Sequence, residues 1–340
     1  MRSKMDVTGK RDSYRYTYID VVKGIAIIGV YFGHHSVFPS VLTDWFWSFH
    51  MPLFFFITGL FSKRLITQSI HKTIKTGLTK LVLPFVLTEF ILTIALLVML
   101  HQTTILLSPI DFLNCLYKAL IIDNHPIWFL LALFYGRIII NAILSLTKSP
   151  HNQASAECLI IIILLFCVGW GIGHYLIKQG LTDYACICKG LLAPIYIYIG
   201  ILLRQFVLQQ TSSLFILSCS IILLSFAYKV PFNMYYFDYP LGIFNVLLSI
   251  IICISLLYTL RNLCNSHIKG AFIVVSILEF IGRNTLYILC AHTLELILKI
   301  HRFIPTNNIG IAHLVIFIII LLSIPIIKRI PIIRTIYQLN

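Results

Sequence analysis

Apolar segments about 20 residues long recur along this chain and are separated by short polar or basic stretches. A helix of about 20 apolar residues is long enough to cross the hydrocarbon core of a bilayer. The pattern therefore predicts an all-α polytopic membrane protein with about ten transmembrane helices. The predicted spans are 19–38, 45–62, 78–100, 126–146, 157–177, 185–203, 212–230, 240–260, 284–300 and 309–327.

The composition agrees with a membrane protein. Charged residues make up 11% of the chain, less than half the share of about 25% in soluble domains. The net charge of +14 could suggest nucleic acid, but the basic residues lie in short loops, so we expect membrane lipids rather than nucleic acid as partners. Two further apolar stretches are not predicted to cross: 103–122 is interrupted by polar residues and proline, and 271–280 is too short.

The distribution of lysine and arginine predicts the orientation of the chain. With the N-terminus in the cytoplasm, 17 of these residues fall in cytoplasmic loops and tails and 5 in loops on the opposite side. The excess of positive charge predicts that both termini are cytoplasmic. We therefore expect a cytoplasmic tail at 1–18, a transmembrane domain at 19–327 and a second cytoplasmic tail at 328–340.

Lys23 and His34 lie eleven residues apart within the first predicted helix. At 100° per residue they share one helix face, with a separation of roughly 16 Å along the axis. Ionisable groups at membrane depth usually face a protein interior or a wet cavity and often have a function. Alternatively, Lys23 extends to the cytoplasmic surface and His34 is an ordinary interfacial histidine. His35 projects about 100° away from His34, which favours a structural role for it.

Other polar residues lie within predicted helices. Arg137 is about midway along 126–146 and needs a carboxylate or a bound anion beside it, Glu89 being the first candidate and Asp20 the second. His292, Glu295 and Lys299 have spacings of three and four on one helix face. They form either a wall of a substrate site or a polar seam between helices. Several histidines fall near one predicted membrane surface, namely His34, His35, His50, His101, His125 and His174.

Five motifs occur in a particular order along the chain. They are Asp20–His34 with its Lys-Gly pair and terminal histidine, Ser48–Gly59 (SFHMPLFFFITG), Lys80–Pro84, Ile127–Leu130, and Gly282–Ile288 followed by His292. Together they resemble the acyltransferase-3 family of integral membrane O-acyltransferases, and most closely its fucose 4-O-acetylase-like branch. Two positions depart from the family pattern: Lys23 stands where most members have arginine, and Lys72-x-x-Lys75 replaces an RxxR element.

The resemblance implies transfer of an acyl group, usually acetyl from acetyl-CoA, to a hydroxyl of a cell-surface polysaccharide or its lipid-linked precursor, in a bacterial plasma membrane. His34 is the expected general base, since histidine suits proton removal from a hydroxyl, and Lys23 is the second catalytic candidate. Lys72, Lys75 and Lys80 are the expected CoA-binding residues, and no metal is expected. The expected substrate-binding residues are Arg137, Trp128, His50, Asn284, His292 and Glu295.

Two alternatives remain open at this point. An exporter or flippase of the same glycan would also need many helices and buried charges, although it would more often show repeated halves, and none are visible in the sequence. An acyltransferase with a protein or lipid acceptor, or with succinyl as the acyl group, fits equally well. The ordered motifs favour the enzyme over the exporter.

Overall fold

The computed structural model describes residues 16–35, 37, 39–62, 66–100, 109–123, 125–147, 156–209, 214–228, 232–265 and 271–339. Within these ranges the regular structure is helical, with a single isolated β-bridge between Asn233 and Asp238. The prediction of an all-α membrane protein is therefore confirmed.

Fifteen α-helices make up the described part of the chain. They are α1 Thr17–His34, α2 Ser40–Trp47, α3 His50–Leu60, α4 Ile70–Gly77, α5 Leu83–Leu100, α6 Pro109–Ile121, α7 Trp128–Leu146, α8 Ala156–Lys178, α9 Ile187–Gln209, α10 Phe215–Tyr228, α11 Ile243–Asn265, α12 Ala271–Arg283, α13 Thr285–Leu298, α14 Ile309–Ile327 and α15 Pro331–Ile336. A π-helical turn, Leu78–Val82, joins α4 to α5, and a 3₁₀ turn, Ile300–Phe303, follows α13.

Six helical stretches of the described residues are long and apolar enough to span a membrane. They are Ile70–Met99, Trp128–Leu146, Ala156–Lys178, Tyr184–Leu208, Ile243–Asn265 and Ile309–Ile327. A seventh span arises if α12 and α13, which meet at a bend of 74°, cross as one unit. The count of ten spans and the cytoplasmic location of both termini remain predictions.

The predicted span 45–62 is wrong as a single helix, because the structure breaks it into α2 and α3 at Ser48 and Phe49. Pro52 lies in the first turn of α3 and explains the break. Proline has no N–H to donate, and its ring would clash with the carbonyl of residue 48 if the helix continued.

The predicted span 284–300 also ends early, since Lys299 has a left-handed φ of 52°. Lys299 is exposed and does not continue the helix face of His292 and Glu295.

Two glycine pairs bring helices close enough to form the core. A Cβ on Gly24 of α1 would collide with the carbonyl of Leu278 in α12, and a Cβ on Gly282 would collide with the carbonyl of Asp20. The same close approach joins Gly59 of α3 with Gly200 of α9. Helix α1 therefore lies inside the bundle, where its polar side chains face other helices rather than lipid.

The C-terminal residues fold back onto the bundle. Tyr337 and Leu339 are buried, and the Tyr337 hydroxyl lies 3.3 Å from Thr88 Oγ1 of α5. Gln338 Nε2 donates to the carbonyl of Lys80 at 2.8 Å. The segment predicted as a cytoplasmic tail at 328–340 is thus packed against the protein over its described part. Residues 1–15 of the predicted N-terminal tail lie outside the described residues.

Candidate active site

One face of α1 lines two cavities. Lys23, Ile27 and Val30 line a cavity of about 280 Å³, which we call the central cavity. His34 continues the same face, with spacings of four, three and four residues, and lines a second cavity of about 280 Å³, the histidine cavity. Met51 of α3 borders both cavities. The two cavities are therefore neighbours along the line from Lys23 to His34.

Three histidines line the histidine cavity, and hydrogen bonds fix two of their tautomers. His34 Nδ1 lies 2.7 Å from the carbonyl oxygen of Val30, and His50 Nδ1 lies 2.7 Å from that of Phe46. A carbonyl only accepts, so each Nδ1 carries a proton. In the neutral ring Nε2 is then an acceptor and can serve as a base. The third histidine, His125, places Nδ1 at 2.8 and 3.0 Å from the two carboxylate oxygens of Glu89.

The pairing of His125 with Glu89 corrects the expected partner of Arg137. Glu89 is fully buried in α5 and holds His125 rather than the guanidinium. Asp20, the second candidate, lies 2.7 Å from Lys23 Nζ. Arg137 instead lines a third cavity, and among the described residues no carboxylate forms an ion pair with it.

This third cavity, which we call the basic cavity, has a volume of about 520 Å³. Its cations are Lys72 of α4, Lys80 of the π-helical turn and Arg137 of α7. The remaining lining residues are polar: Thr67, Gln68, Ser69 and Thr76. Such a set of cations and hydrogen-bond donors suits phosphate groups. Lys75 is exposed and lines none of the three cavities.

The linings of the basic and central cavities include consecutive residues of the π-helical turn. Lys80 lines the former, while the next residue, Leu81, lines the latter. Gln338 lines the central cavity and donates to the Lys80 carbonyl. In the central cavity Lys23 is otherwise surrounded mainly by apolar side chains, which suit an uncharged chain more than a phosphate.

A loop between α10 and α11 forms the far wall of the histidine cavity. Asn233 to Tyr236 line it, and Asn233 Oδ1 accepts from the backbone N–H groups of Tyr235 and Tyr236 at 3.0 and 3.3 Å. Burial raises the pKa of Tyr235 to about 12, so its phenol stays protonated and can donate. Nothing in the sequence analysis pointed to this loop. The sequence shows an asparagine typical of a turn at this point. It does not show that the loop packs over the histidine cavity, because the other lining residues are distant in sequence.

Below this wall lies a buried ion pair. Lys189 Nζ of α9 is 3.4 Å from Asp183 Oδ2, and both side chains are 1% exposed. The same ammonium lies 5.8 Å from the ring centroid of Trp128 and 4.8 Å from that of Tyr235. Since both rings line the histidine cavity, the ion pair supports the wall that a substrate would touch.

Seven of the eleven expected site residues line the three cavities. His34, His50 and Trp128 line the histidine cavity, Lys23 the central cavity, and Lys72, Lys80 and Arg137 the basic cavity. Asn284, His292 and Glu295 are buried and line none of the three. Asn284 donates to the carbonyl of Phe280 at 2.7 Å, at the bend between α12 and α13. His292 and Glu295 lie behind His34, where the rings of His292 and His34 are 5.2 Å apart.

A helical membrane bundle with one cavity lined by three cations, one lined mainly by apolar side chains and one lined by three histidines defines the class: an integral membrane protein with polar sites between its helices. The chain belongs to the acyltransferase-3 family, since the model of that family's acyltransferase domain matches residues 16–328. It is therefore a multi-pass membrane acyltransferase. No curated protein and no solved structure matches the chain.

Proposed function

We propose that this protein is an O-acetyltransferase of the bacterial plasma membrane, which moves an acetyl group from acetyl-CoA to a hydroxyl of a cell-surface polysaccharide or its lipid-linked precursor. One observation carries the proposal. The face of α1 from Lys23 to His34 lines two neighbouring cavities. The consecutive residues Lys80 and Leu81 line, respectively, a cavity with three cations and the first of these two cavities.

The donor occupies the basic and central cavities in this proposal. Lys72, Lys80 and Arg137 bind the phosphates of CoA, because charge-assisted hydrogen bonds to phosphate are strong. The predicted orientation puts this end in the cytoplasm, where acyl-CoA is present. The pantetheine arm enters the central cavity past Lys23. Its length is comparable to the roughly 16 Å between Lys23 and His34, so the thioester reaches the histidine cavity.

The acceptor occupies the histidine cavity. Tyr235 donates to one sugar oxygen, His50 accepts from a hydroxyl through Nε2, and Trp128 packs against the ring of the sugar. His34 Nε2 then removes the proton of the attacking hydroxyl. The hydroxyl oxygen bonds to the thioester carbon, the C–S bond breaks, and the proton on His34 passes to the departing CoA thiolate. The products are an acetyl ester and CoA, and His34 returns to its neutral form.

Transfer of radiolabelled acetyl from acetyl-CoA to lipid-linked glycans, measured with purified protein, tests the proposal. We expect His34→Ala to lower turnover by about 10²–10⁴-fold, the usual contribution of a general base, at unchanged abundance. Turnover near that of the wild type would refute the role of His34. Movement of glycan across vesicles without any labelled ester would favour the exporter.

The donor site has a matched comparison within the helical segment from Lys72 to Lys80. Lys72→Ala and Lys80→Ala should each weaken acetyl-CoA binding, because both side chains line the basic cavity. Lys75→Ala removes the same charge from an exposed position outside the cavity and should leave binding nearly unchanged. Isothermal titration with acetyl-CoA measures all three variants. Equal losses from all three would mean that the segment acts only through its overall positive charge.

A further inference from the structure

Behind His34 lies a buried cluster of histidines around one carboxylate. Glu295 of α13 has His35 Nε2 at 2.5 Å and His292 Nδ1 at 3.8 Å from its Oε2 atom. Its other oxygen, Oε1, has His313 Nδ1 at 3.0 Å and His301 Nδ1 at 3.9 Å. The cluster thus joins the end of α1, helix α13, the following 3₁₀ turn and helix α14.

Hydrogen bonds satisfy this cluster only in part, since His313 Nδ1 donates to Glu295 Oε1. His35 Nε2, both ring nitrogens of His292, Glu295 Oε2 and His301 Nδ1 are buried and have no hydrogen-bond partner among the described residues. The 2.5 Å contact between His35 and Glu295 is an ion-pair contact. Buried polar atoms without partners are rare in folded proteins, and an ion that the residues coordinate is one recognised explanation.

We propose that His35, His292 and Glu295 bind a Zn²⁺ ion. The donor atoms of these three side chains lie within 4.8 Å of one another. Two imidazoles and a carboxylate are ligands typical of zinc. With bonds of about 2.0–2.1 Å in a tetrahedral arrangement, the donor atoms would lie about 3.3 Å apart. The distances of 2.5 and 3.8 Å would change by about 0.8 and 0.5 Å, in opposite directions, to reach this value.

A second triplet, Glu295, His301 and His313, also has its donor atoms within 4.8 Å. We favour the first because all three of its side chains are at most 2% exposed and all three donor atoms lack hydrogen bonds to the described residues. In the second, His313 already donates to Glu295 Oε1, and His301 is 26% exposed. Histidine hydrogen bonds of this kind hold ligating carboxylates in metal sites. His301, with its own unpartnered Nδ1, is the nearest candidate for a fourth ligand.

Such an ion would fix the position of His34 without touching the substrate. His35 is the residue after His34 and ends α1. An ion bound to His35 and to α13 would clamp this end of α1 against α13. The Tyr31 hydroxyl, which donates to the carbonyl of His313 at 3.1 Å, already ties the same turn of α1 to α14. The zinc site does not depend on the identity of the acyl donor or acceptor.

Metal analysis of the purified wild-type protein is the first test. The protein should carry an affinity tag without histidine and be purified without chelator. We expect about one zinc per chain by mass spectrometry of the dissolved protein, and a lower melting temperature after treatment with a chelator. After removal of zinc, Co²⁺ should give the visible absorption of a tetrahedral site, and Zn²⁺ should abolish it. Wild-type protein without zinc and without a Co²⁺ spectrum would overturn the proposal.

Variants then locate the ion. Glu295→Gln and His292→Ala should each lower zinc affinity at least tenfold, whereas His174→Ala, an exposed histidine of α8, should leave it unchanged. Unchanged zinc content in both cluster variants would overturn the assignment, and so would loss of zinc in the His174 control. The wild-type cobalt spectrum and the chelator-dependent melting temperature keep the test decisive even if a cluster variant fails to fold.

Discussion

Replacement of Lys189 by methionine tests whether the buried ion pair shapes the histidine cavity. Lys189 and Asp183 are both 1% exposed, so removal of the lysine leaves a buried carboxylate without its cation. Loss of one partner of a buried pair typically destabilises a protein by about 3–5 kcal/mol. Asp183 also accepts from the backbone N–H groups of Cys188 and Lys189 at 2.8 and 3.1 Å. Because these two hydrogen bonds remain after the substitution, we expect a loss of stability at the lower end of this range, about 3 kcal/mol.

Thermal unfolding in detergent measures this loss. At about 2 °C per kcal/mol, the low end for large domains, Lys189→Met should lower the melting temperature by about 6 °C. The double variant with Asp183→Asn should be less destabilised than Lys189→Met alone, because it removes the uncompensated charge. Lys178→Met, which changes an exposed lysine at the end of α8, is the control and should have little effect.

Lys189→Met should also raise the KM for the acceptor. Lys189 lies against the rings of Trp128 and Tyr235, which line the histidine cavity, but it does not line the basic cavity. We therefore expect the KM for the acceptor to rise more than the KM for acetyl-CoA. A melting temperature and an acceptor KM equal to those of the wild type would refute this reasoning.

Substitutions at two further positions probe the polar groups of the cavities. Lys23→Arg should keep measurable transfer because it retains the positive charge beside Asp20, whereas Lys23→Ala should lose most of it; the transfer assay separates the two. Glu89→Gln should keep an acceptor for His125 and lower turnover less than Glu89→Ala, which leaves the Nδ1–H of His125 without its partner at a cost of about 1–3 kcal/mol. Equal turnover in the two Glu89 variants would show that His125 needs no acceptor.

Local periodicity predicted the part of the site that lies on one helix. The eleven-residue spacing of Lys23 and His34 placed both on one face of α1, and that face lines the central and histidine cavities. Apolar length predicted the membrane class, and α14 has the predicted bounds. These features depend on neighbours within a few turns of one helix, which a sequence pattern records directly.

Contacts between residues that are far apart in the chain could not be predicted from local sequence patterns. Glu89 and His125 are 36 positions apart, and Gln338 meets Lys80 across 258 positions. No spacing rule relates such pairs, so Arg137 was assigned the wrong partner. The break between α2 and α3 is different, because Pro52 marks it in the sequence. The prediction of one span at 45–62 followed the length of the apolar run and did not take Pro52 into account, although proline in the first turn of a helix is a recognised boundary signal.

The span that contains α4 and α5 relates the proposed donor and acceptor sites to one another. Lys72, Thr76 and Lys80 recur every four residues and line the basic cavity. In the π-helical turn the next residue, Leu81, lines the central cavity. Two turns further on, Glu89 holds His125 in the histidine cavity. π-Helical turns are rare and frequent at functional sites. One helical span thus contacts or supports all three cavities, which favours a single reaction that uses them together over independent binding sites.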